Sequence, residues 1–296
     1  MNDGPRWPSR RFVIAAVVAT VITTAAIVLP DITLPFRDPA EAAYVRGWIP
    51  RQEGKNFLLA LTEYDEKASA HHFRTAFRLN PHVLRYQLSL AQSLHYDQAA
   101  LEELLKDGHL LSEARASAEY YLALCWVRKG LWRDWSLATN GAPKLAIALD
   151  HLDIAIGLDP TNAAPLYARA RVLYVLGRDE EAARSVAEGN TKSSFQKIIL
   201  HPVFGRSLAC SFYIDDLSKF AGHRQLAREQ VDYAKGLLRQ KQTVRGRRAL
   251  EDVVVFGKRQ AAASPKGILS YLVGRSAFRL AHPELVRLYD KASPER

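Results

Sequence analysis

The chain has 296 residues, of which 48% are hydrophobic and 24% are charged. These proportions are ordinary for a folded protein of one or two domains, and they exclude a collagen-like or low-complexity chain. The formal net charge is +10. An excess of this size directs attention to anionic partners such as nucleic acid, lipid headgroups or acidic polymers.

The N-terminal region predicts a membrane anchor. Residues 1–11 carry three arginines and one acid, and residues 12–29 form an uncharged run of 18 residues. As a helix this run would be about 27 Å long, close to the thickness of a bilayer's hydrocarbon core. Basic residues before such a helix favour a cytoplasmic N-terminus. We therefore expect a single-pass protein whose remaining chain is exported, most simply into a bacterial periplasm.

A cleaved signal peptide is the alternative interpretation of this run. The apolar core of a signal peptide spans about 7–15 residues, and a small-x-small cleavage motif follows closely. Here the best such motif, Ala40-Glu41-Ala42, lies well beyond Leu29, and three prolines intervene. The spacing favours an uncleaved signal-anchor followed by a stiff, proline-rich linker at residues 30–39.

Beyond the linker, the sequence predicts helices separated by proline and glycine turns. Between Leu149 and Ala187, apolar residues recur at three- and four-residue steps in three successive segments. Pro160 should end the first, since the residue before a proline is pushed out of the α region. Gly177 is placed to end the second in a left-handed conformation, and Asp179 to cap the third. The predicted fold class is all-α.

The segments also carry recurring residue patterns at fixed spacings. Two of them end in bulky, small and proline residues: Leu152, Ala155, Pro160 (after Ala148) and Phe73, Ala76, Phe77, Pro81. A segment between these two carries a bulky, a small, an aromatic and a glycine residue: Leu122, Ala123, Trp126, Gly130. These patterns resemble the tetratricopeptide repeat, a 34-residue pair of helices. The separation of Gly130 and Pro160 exceeds the family's by about 13 residues, which indicates an insert around Trp132 to Pro143.

The resemblance implies a solenoid of stacked helical hairpins. We expect repeats over residues 40–190, and diverged repeats with a cap over residues 191–296, since terminal repeats are usually atypical. A separate helical domain is the alternative for residues 191–296. Within them, periodicity predicts an amphipathic helix at Leu226–Leu238, a helix through the valines at 253–255, and a turn at His282-Pro283 between two final helices.

The resemblance also implies a partner-binding groove. In this family the first helix of each repeat lines a concave surface that binds extended peptides or partner helices. The matching positions in this chain are Tyr120, Leu124, Arg128, Tyr167, Arg171 and Tyr174. Tyrosine and arginine suit recognition because they are enriched at protein interfaces. The alternative is that these tyrosines and the leucine pack against the next repeat.

A second candidate site is a concentration of positive charge. Between Lys219 and Arg279 there are 14 lysines and arginines against four acids. The densest part contains Arg239, Lys241, Arg245, Arg247 and Arg248. We expect this region either to bind anionic lipid or polysaccharide or to be a solvated helical face. An exported domain would not meet nucleic acid.

The sequence offers no motif for catalysis, phosphate binding or metal coordination. Cys125 and Cys210 lie in apolar helical runs and are expected to be small buried side chains, although export would permit a disulfide between them. We therefore expect a non-catalytic, cofactor-free scaffold or adaptor that holds a protein partner at the membrane, in envelope assembly or export. A basic module for anionic polymer or lipid, and an enzyme with an unrecognised site, are the two alternatives.

Overall fold

The computed structural model describes residues 38–47, 66–95, 97–132, 136–195, 217–263 and 268–292. Within these ranges the regular structure is helical, apart from two isolated β-bridges, Leu131–Leu137 and Asn162–Ser194. The prediction of an all-α chain is therefore confirmed for the described residues. None of the helices in these ranges is long and apolar enough to cross a bilayer. The anchor predicted at residues 12–29 lies outside them.

The described residues form eleven helices. They are α1 (Pro39–Gly47), α2 (Glu66–Leu79), α3 (Leu84–Ser93), α4 (Gln98–Leu105), α5 (Ser112–Gly130), α6 (Gly141–Leu158), α7 (Ala164–Val175), α8 (Asp179–Thr191), α9 (Leu217–Arg239), α10 (Thr243–Ala263) and α11 (Ile268–Ala292). The valines at 253–255 lie within α10, so their prediction as helix is confirmed.

The helices pack in the order in which they follow one another along the chain. The most extensive pairings join α5 to α6, α10 to α11, α1 to α2, α7 to α8 and α9 to α10. A second set of contacts joins every other helix: α3 to α5, α5 to α7, α7 to α9, and α9 to α11. Contacts of this kind, restricted to near neighbours, build a structure pair by pair.

The recurring bulky and small residues lie in the core. Ala148, Leu152 and Ala155 are fully buried on α6, and Phe73 and Ala76 on α2 are equally enclosed. One continuous hydrophobic cluster runs from the first described helix to the last. The spacing seen in the sequence therefore marks the inward face of the helices, as periodicity at three and four residues requires.

The last residue of α5 and the first residue of α6 are glycines, and their backbones meet closely. A Cβ atom placed on Gly141 would overlap the carbonyl oxygen of Gly130, so the backbones meet without side chains between them. The Ala138 amide donates to the Gly130 carbonyl at 3.0 Å, closing the loop that joins the two helices. This loop takes up much of the predicted insert, although Ala142 and Pro143 already belong to α6.

Two of the three predicted helix boundaries near α7 are confirmed. The helix α6 ends at Leu158 with Asp159 as its C-cap, and Gly177 adopts a left-handed φ of 70° after α7. The prediction that Asp179 caps α8 is wrong. The N-cap is Arg178, whose side chain makes no capping bond, and Asp179 is the first helical residue. Its carboxylate instead joins the acidic first turn, where the helix dipole favours negative charge.

The predicted turn at His282-Pro283 is also wrong, because α11 continues through Pro283. A proline inside a helix costs a backbone hydrogen bond. Contacts on both sides of the proline hold the helix together: Ala281 is fully buried before it, and Glu284 after it pairs with Lys235 of α9 at 3.6 Å. Tertiary packing therefore overrides the local signal.

Candidate functional site

The predicted groove residues lie on two helices that touch. Tyr120, Leu124 and Arg128 belong to α5, whereas Tyr167, Arg171 and Tyr174 belong to α7. The structure brings α5 and α7 into contact, and Arg171 interacts electrostatically with Tyr120. The predicted residues therefore do lie on neighbouring helices, but most of them are less exposed to solvent than a partner-binding groove requires.

Tyr167 is an interior residue that connects three helices. It is 0% exposed, and its ring meets that of Phe256 of α10 edge to face, with centroids 4.9 Å apart. Its hydroxyl donates to the Asn190 side chain of α8 at 3.0 Å. Burial raises the pKa of Tyr167, which keeps the phenol neutral. The residue holds α7 between α8 and α10 and does not face solvent.

Tyr120 and Tyr174 are buried as well. The Tyr174 hydroxyl donates to the side-chain carbonyl of Gln230 on α9, and burial raises the pKa of Tyr174. The Tyr120 ring lies 5.3 Å from the ring of Tyr121 on the same helix. As a correction to the predicted groove, the three tyrosines are therefore interior side chains. The physical reason is that α5, α6, α8 and α9 all pack around α7.

The guanidinium group of Arg171 is enclosed in the same region. Its tip is buried, and desolvation lowers the pKa of Arg171 to about 10, partly offset by Tyr120. The group lies against Gly222 of α9, where a Cβ atom would overlap it. Arg171 is therefore also an interior residue, and it accounts for the glycine near the N-terminal end of α9.

The surface that remains of the predicted groove lies at the C-terminal end of α5, where Leu124 is half-buried and Arg128 is exposed. Trp132 follows eight residues after Leu124, and its side chain is 59% exposed. Its backbone amide donates to the Ser136 carbonyl at 2.9 Å. We call Leu124, Arg128 and Trp132 the α5 tip. Sequence reasoning missed Trp132 as a surface residue, although it had placed it in the insert.

The five basic residues are all exposed and lie at the turn between α9 and α10. We call this set of Arg239, Lys241, Arg245, Arg247 and Arg248 the basic corner. Two of its members are partly neutralised: Arg245 pairs with Glu180 at 2.9 Å, and Arg247 with Glu251 at 3.6 Å. Exposed pairs of this kind contribute little stability and are screened by salt. The structure thus brings the predicted residues together on an accessible surface.

The interior offers little for chemistry. Across the described ranges, no group of three or more histidine, cysteine or acidic side chains could hold a metal ion. Cys125 is a buried free thiol that donates to the His95 carbonyl, and burial raises its pKa, which disfavours the nucleophilic thiolate. Its predicted burial is confirmed, whereas Cys210 lies outside the described residues.

Comparison with known proteins does not assign the chain to a family. Neither the models of known protein families nor the curated proteins match the chain. The functional assignment therefore depends on the exposed surfaces of the helical stack, chiefly the α5 tip and the basic corner.

Proposed function

We propose that the protein is a membrane-anchored scaffold whose stacked helical pairs resemble tetratricopeptide repeats and hold a protein partner through the α5 tip. Its anchor is residues 12–29, and its helical part is exported. It acts by binding and not by catalysis, in the assembly or export of an envelope component.

The exposure of Trp132 is the observation that supports partner binding most directly. A large aromatic side chain left 59% exposed gains little from the fold that carries it, because most of its apolar area stays in water. Its own backbone amide nevertheless donates to the Ser136 carbonyl at 2.9 Å. Tryptophan and arginine are among the residues most enriched at positions that dominate binding energy, and Arg128 lies four residues earlier in the chain, in the last turn of α5.

The order of helix packing supports the repeat interpretation. The pair α7 and α8 has 12 and 13 residues joined by a tight turn at Gly177, close to the size of one repeat. The bulky and small residues that carry the resemblance are buried in the core, apart from Trp126, which is partly buried against it. A scaffold of this type recognises partners through surfaces that several pairs of helices build together.

The anchor would make a modest affinity sufficient. A proline-rich linker of about ten residues reaches roughly 30 Å at about 3.1 Å per residue. It would hold the helical domain near the membrane, where a membrane-bound partner is encountered at high effective concentration.

The basic corner supports a second candidate function, the binding of an anionic polymer or lipid surface. All five of its cationic residues are exposed, and Val244 among them is the most exposed large apolar residue described, at 73%. Binding of this kind would weaken steeply with added salt, whereas binding through the α5 tip would depend on Trp132.

Site-specific photo-crosslinking in cells tests the scaffold proposal. With p-benzoylphenylalanine in place of Trp132, we expect a discrete protein adduct, because this residue would sit in the partner interface. The same substitution at Ile154, an exposed apolar residue of α6, is the matched control and should give none.

Charge reversal distinguishes recognition from random collision. Arg128→Glu should remove most of the adduct formed at position 132, since reversing a charge at an interface costs far more than losing a rim contact. Adducts of equal yield at positions 132 and 154, or an adduct indifferent to Arg128→Glu, would contradict a partner site at the α5 tip.

A further inference from the structure

The outer surface of α11 has a composition unlike that of the other helices. From Tyr271 to Tyr289 its exposed residues are Tyr271, Leu272, Arg275, Phe278, Arg279, His282, Pro283, Val286, Arg287 and Tyr289. We call these residues the α11 outer face. Five of the thirteen large hydrophobic side chains that are exposed in the described residues belong to it. Exposed apolar groups concentrated on one element mark an interaction surface.

The aromatic members of this face are aligned along the helix. Phe278 lies seven residues after Tyr271, and Tyr289 lies eighteen residues after it. At 3.6 residues per turn, the three positions fall within about 20° of one another around the helix. Ala277 and Ala281 lie on a different side and are buried against the stack formed with α9 and α10. The aromatic side chains are therefore not the packing face of α11.

The charge of the face is of one sign. Three arginines are exposed between Tyr271 and Tyr289, and no carboxylate is. Glu284 is the acid within this span, and it is half-buried between Arg287 at 3.3 Å and Lys235 of α9 at 3.6 Å. The α11 outer face thus combines aromatic and aliphatic groups with positive charge.

The face continues into the basic corner. The Tyr289 hydroxyl donates to the Glu251 carboxylate of α10 at 3.2 Å, and Glu251 also pairs with Arg247 of the basic corner. The C-terminal half of α11 therefore lies beside the first half of α10, which also carries the exposed Val244. The two cationic regions are therefore adjacent, and the Glu251 carboxylate lies between them, paired with Arg247.

We propose that the α11 outer face, together with the adjoining basic corner, lies against an anionic lipid bilayer. Helices that lie in the membrane interface combine apolar side chains with lysine and arginine, and they bind through apolar burial plus attraction to anionic lipids. Tyrosine favours this depth, because its ring is apolar and its hydroxyl remains wet. Arginine contributes near an anionic surface within about a Debye length.

The same observations disfavour two other occupants. A second copy of the chain docked face to face would bring three arginines against three arginines, which costs binding energy. An anionic polymer would satisfy the arginines but would leave Phe278, Val286 and Leu272 without an apolar environment. A bilayer surface satisfies both kinds of side chain.

The inference goes beyond the proposed scaffold function and has a different consequence. Residues 12–29 attach one end of the chain, whereas α11 closes the described stack at the other. Attachment at both ends of the chain would hold the described helices close to the membrane surface.

Lipid photo-crosslinking of the full chain tests the inference. The protein carrying p-benzoylphenylalanine at Tyr271 or Phe278 is mixed with vesicles of phosphatidylcholine alone, or with about one-third phosphatidylglycerol. We expect lipid adducts at both positions, about tenfold more abundant on the anionic vesicles. Leu79 on α2 is the matched control, since its 52% exposure is close to the 53% of Tyr271, and it should give few adducts on either kind of vesicle.

A triple variant separates attraction by charge from folding defects. Arg275→Gln, Arg279→Gln and Arg287→Gln together should lower the adduct yield at Phe278 about tenfold on anionic vesicles while leaving the helical circular dichroism unchanged. Equal adduct yields at Phe278 and Leu79 would overturn the inference, as would adducts that ignore the phosphatidylglycerol content. Adducts only between two copies of the chain would also overturn it. The same holds if crosslinking in cell membranes gives adducts to an acidic protein and none to lipid.

The test also separates this inference from the proposed anchor. Cosedimentation with neutral vesicles reports residues 12–29, because an apolar helix inserts without anionic lipid. Adducts at Phe278 that require anionic lipid report the α11 outer face. Loss of one signal with retention of the other therefore identifies which of the two proposals fails.

Discussion

Phe256→Ala should lower the free energy of unfolding by about 3–5 kcal/mol, the usual cost of removing a buried phenylalanine. Phe256 of α10 is 1% exposed, and its ring contacts Tyr167 of α7 and His223 of α9 at 4.9 and 5.7 Å between centroids. The substitution would leave a cavity where three helices meet. Urea unfolding of the full chain in mild detergent, followed by circular dichroism, measures the loss.

Phe278 supplies the matched control for this result. It is the same residue type on the neighbouring helix, but it lies on the α11 outer face and is 40% exposed. Phe278→Ala should cost less than about 1 kcal/mol, as surface substitutions usually do. Equal losses for the two variants would contradict the packing of α10 between α7 and α9.

Gly141→Ala should destabilise the protein by about 1–3 kcal/mol, the range expected when an atom is forced into a closed contact. The added methyl would overlap the Gly130 carbonyl oxygen, which belongs to the backbone and cannot swing aside. The pair α5 and α6, the most extensive in the structure, would have to separate. The midpoint of urea unfolding should fall without a change in helical content.

The same helix provides an opposite control. A Cβ atom at Gly157 of α6 meets no other atom within 4 Å. Gly157→Ala should therefore raise stability by about 0.5–1 kcal/mol, because alanine loses less entropy than glycine in a helix. A neutral Gly141→Ala variant would contradict the close approach of Gly141 to Gly130, and a destabilised Gly157→Ala variant would contradict the open space around Gly157.

The elements that the sequence predicted well are those set by local sterics and periodicity. Pro160 ends α6 and Gly177 ends α7 because proline and glycine restrict or relax the backbone wherever they occur. Leu152 and Ala155 could be assigned to the core because spacing alone defines a helical face. These signals do not depend on which helix lies opposite.

The errors concern contacts between distant parts of the chain. Tyr174 meets Gln230, 56 residues later, and Arg171 meets Gly222 of the same helix α9. The resemblance placed Tyr167 and Tyr174 on one surface of α7, but a repeat pattern carries no information on which distant helix covers that surface. The continuation of α11 through Pro283 likewise depends on partners from other helices, such as Lys235.

The two exposed surfaces illustrate the same limit. Five arginines and lysines close together in sequence indicated the basic corner, since residues around a turn stay near one another. The α11 outer face was not predicted, because a turn was expected at His282-Pro283. In the single helix that forms instead, Tyr271, Phe278 and Tyr289 are aligned over five turns. Trp132 was overlooked because exposure of a tryptophan is not readable from its neighbours in sequence.

The most direct test of a scaffold anchored at the membrane and exported is the sidedness of the chain. A reporter that is active only outside the cytoplasm would be fused after Arg296, and the size of the N-terminal part would be measured on the same protein. Our account predicts an active reporter on a full-length, membrane-bound chain. An inactive reporter would contradict the orientation, and a chain shortened near Ala42 would contradict the uncleaved anchor.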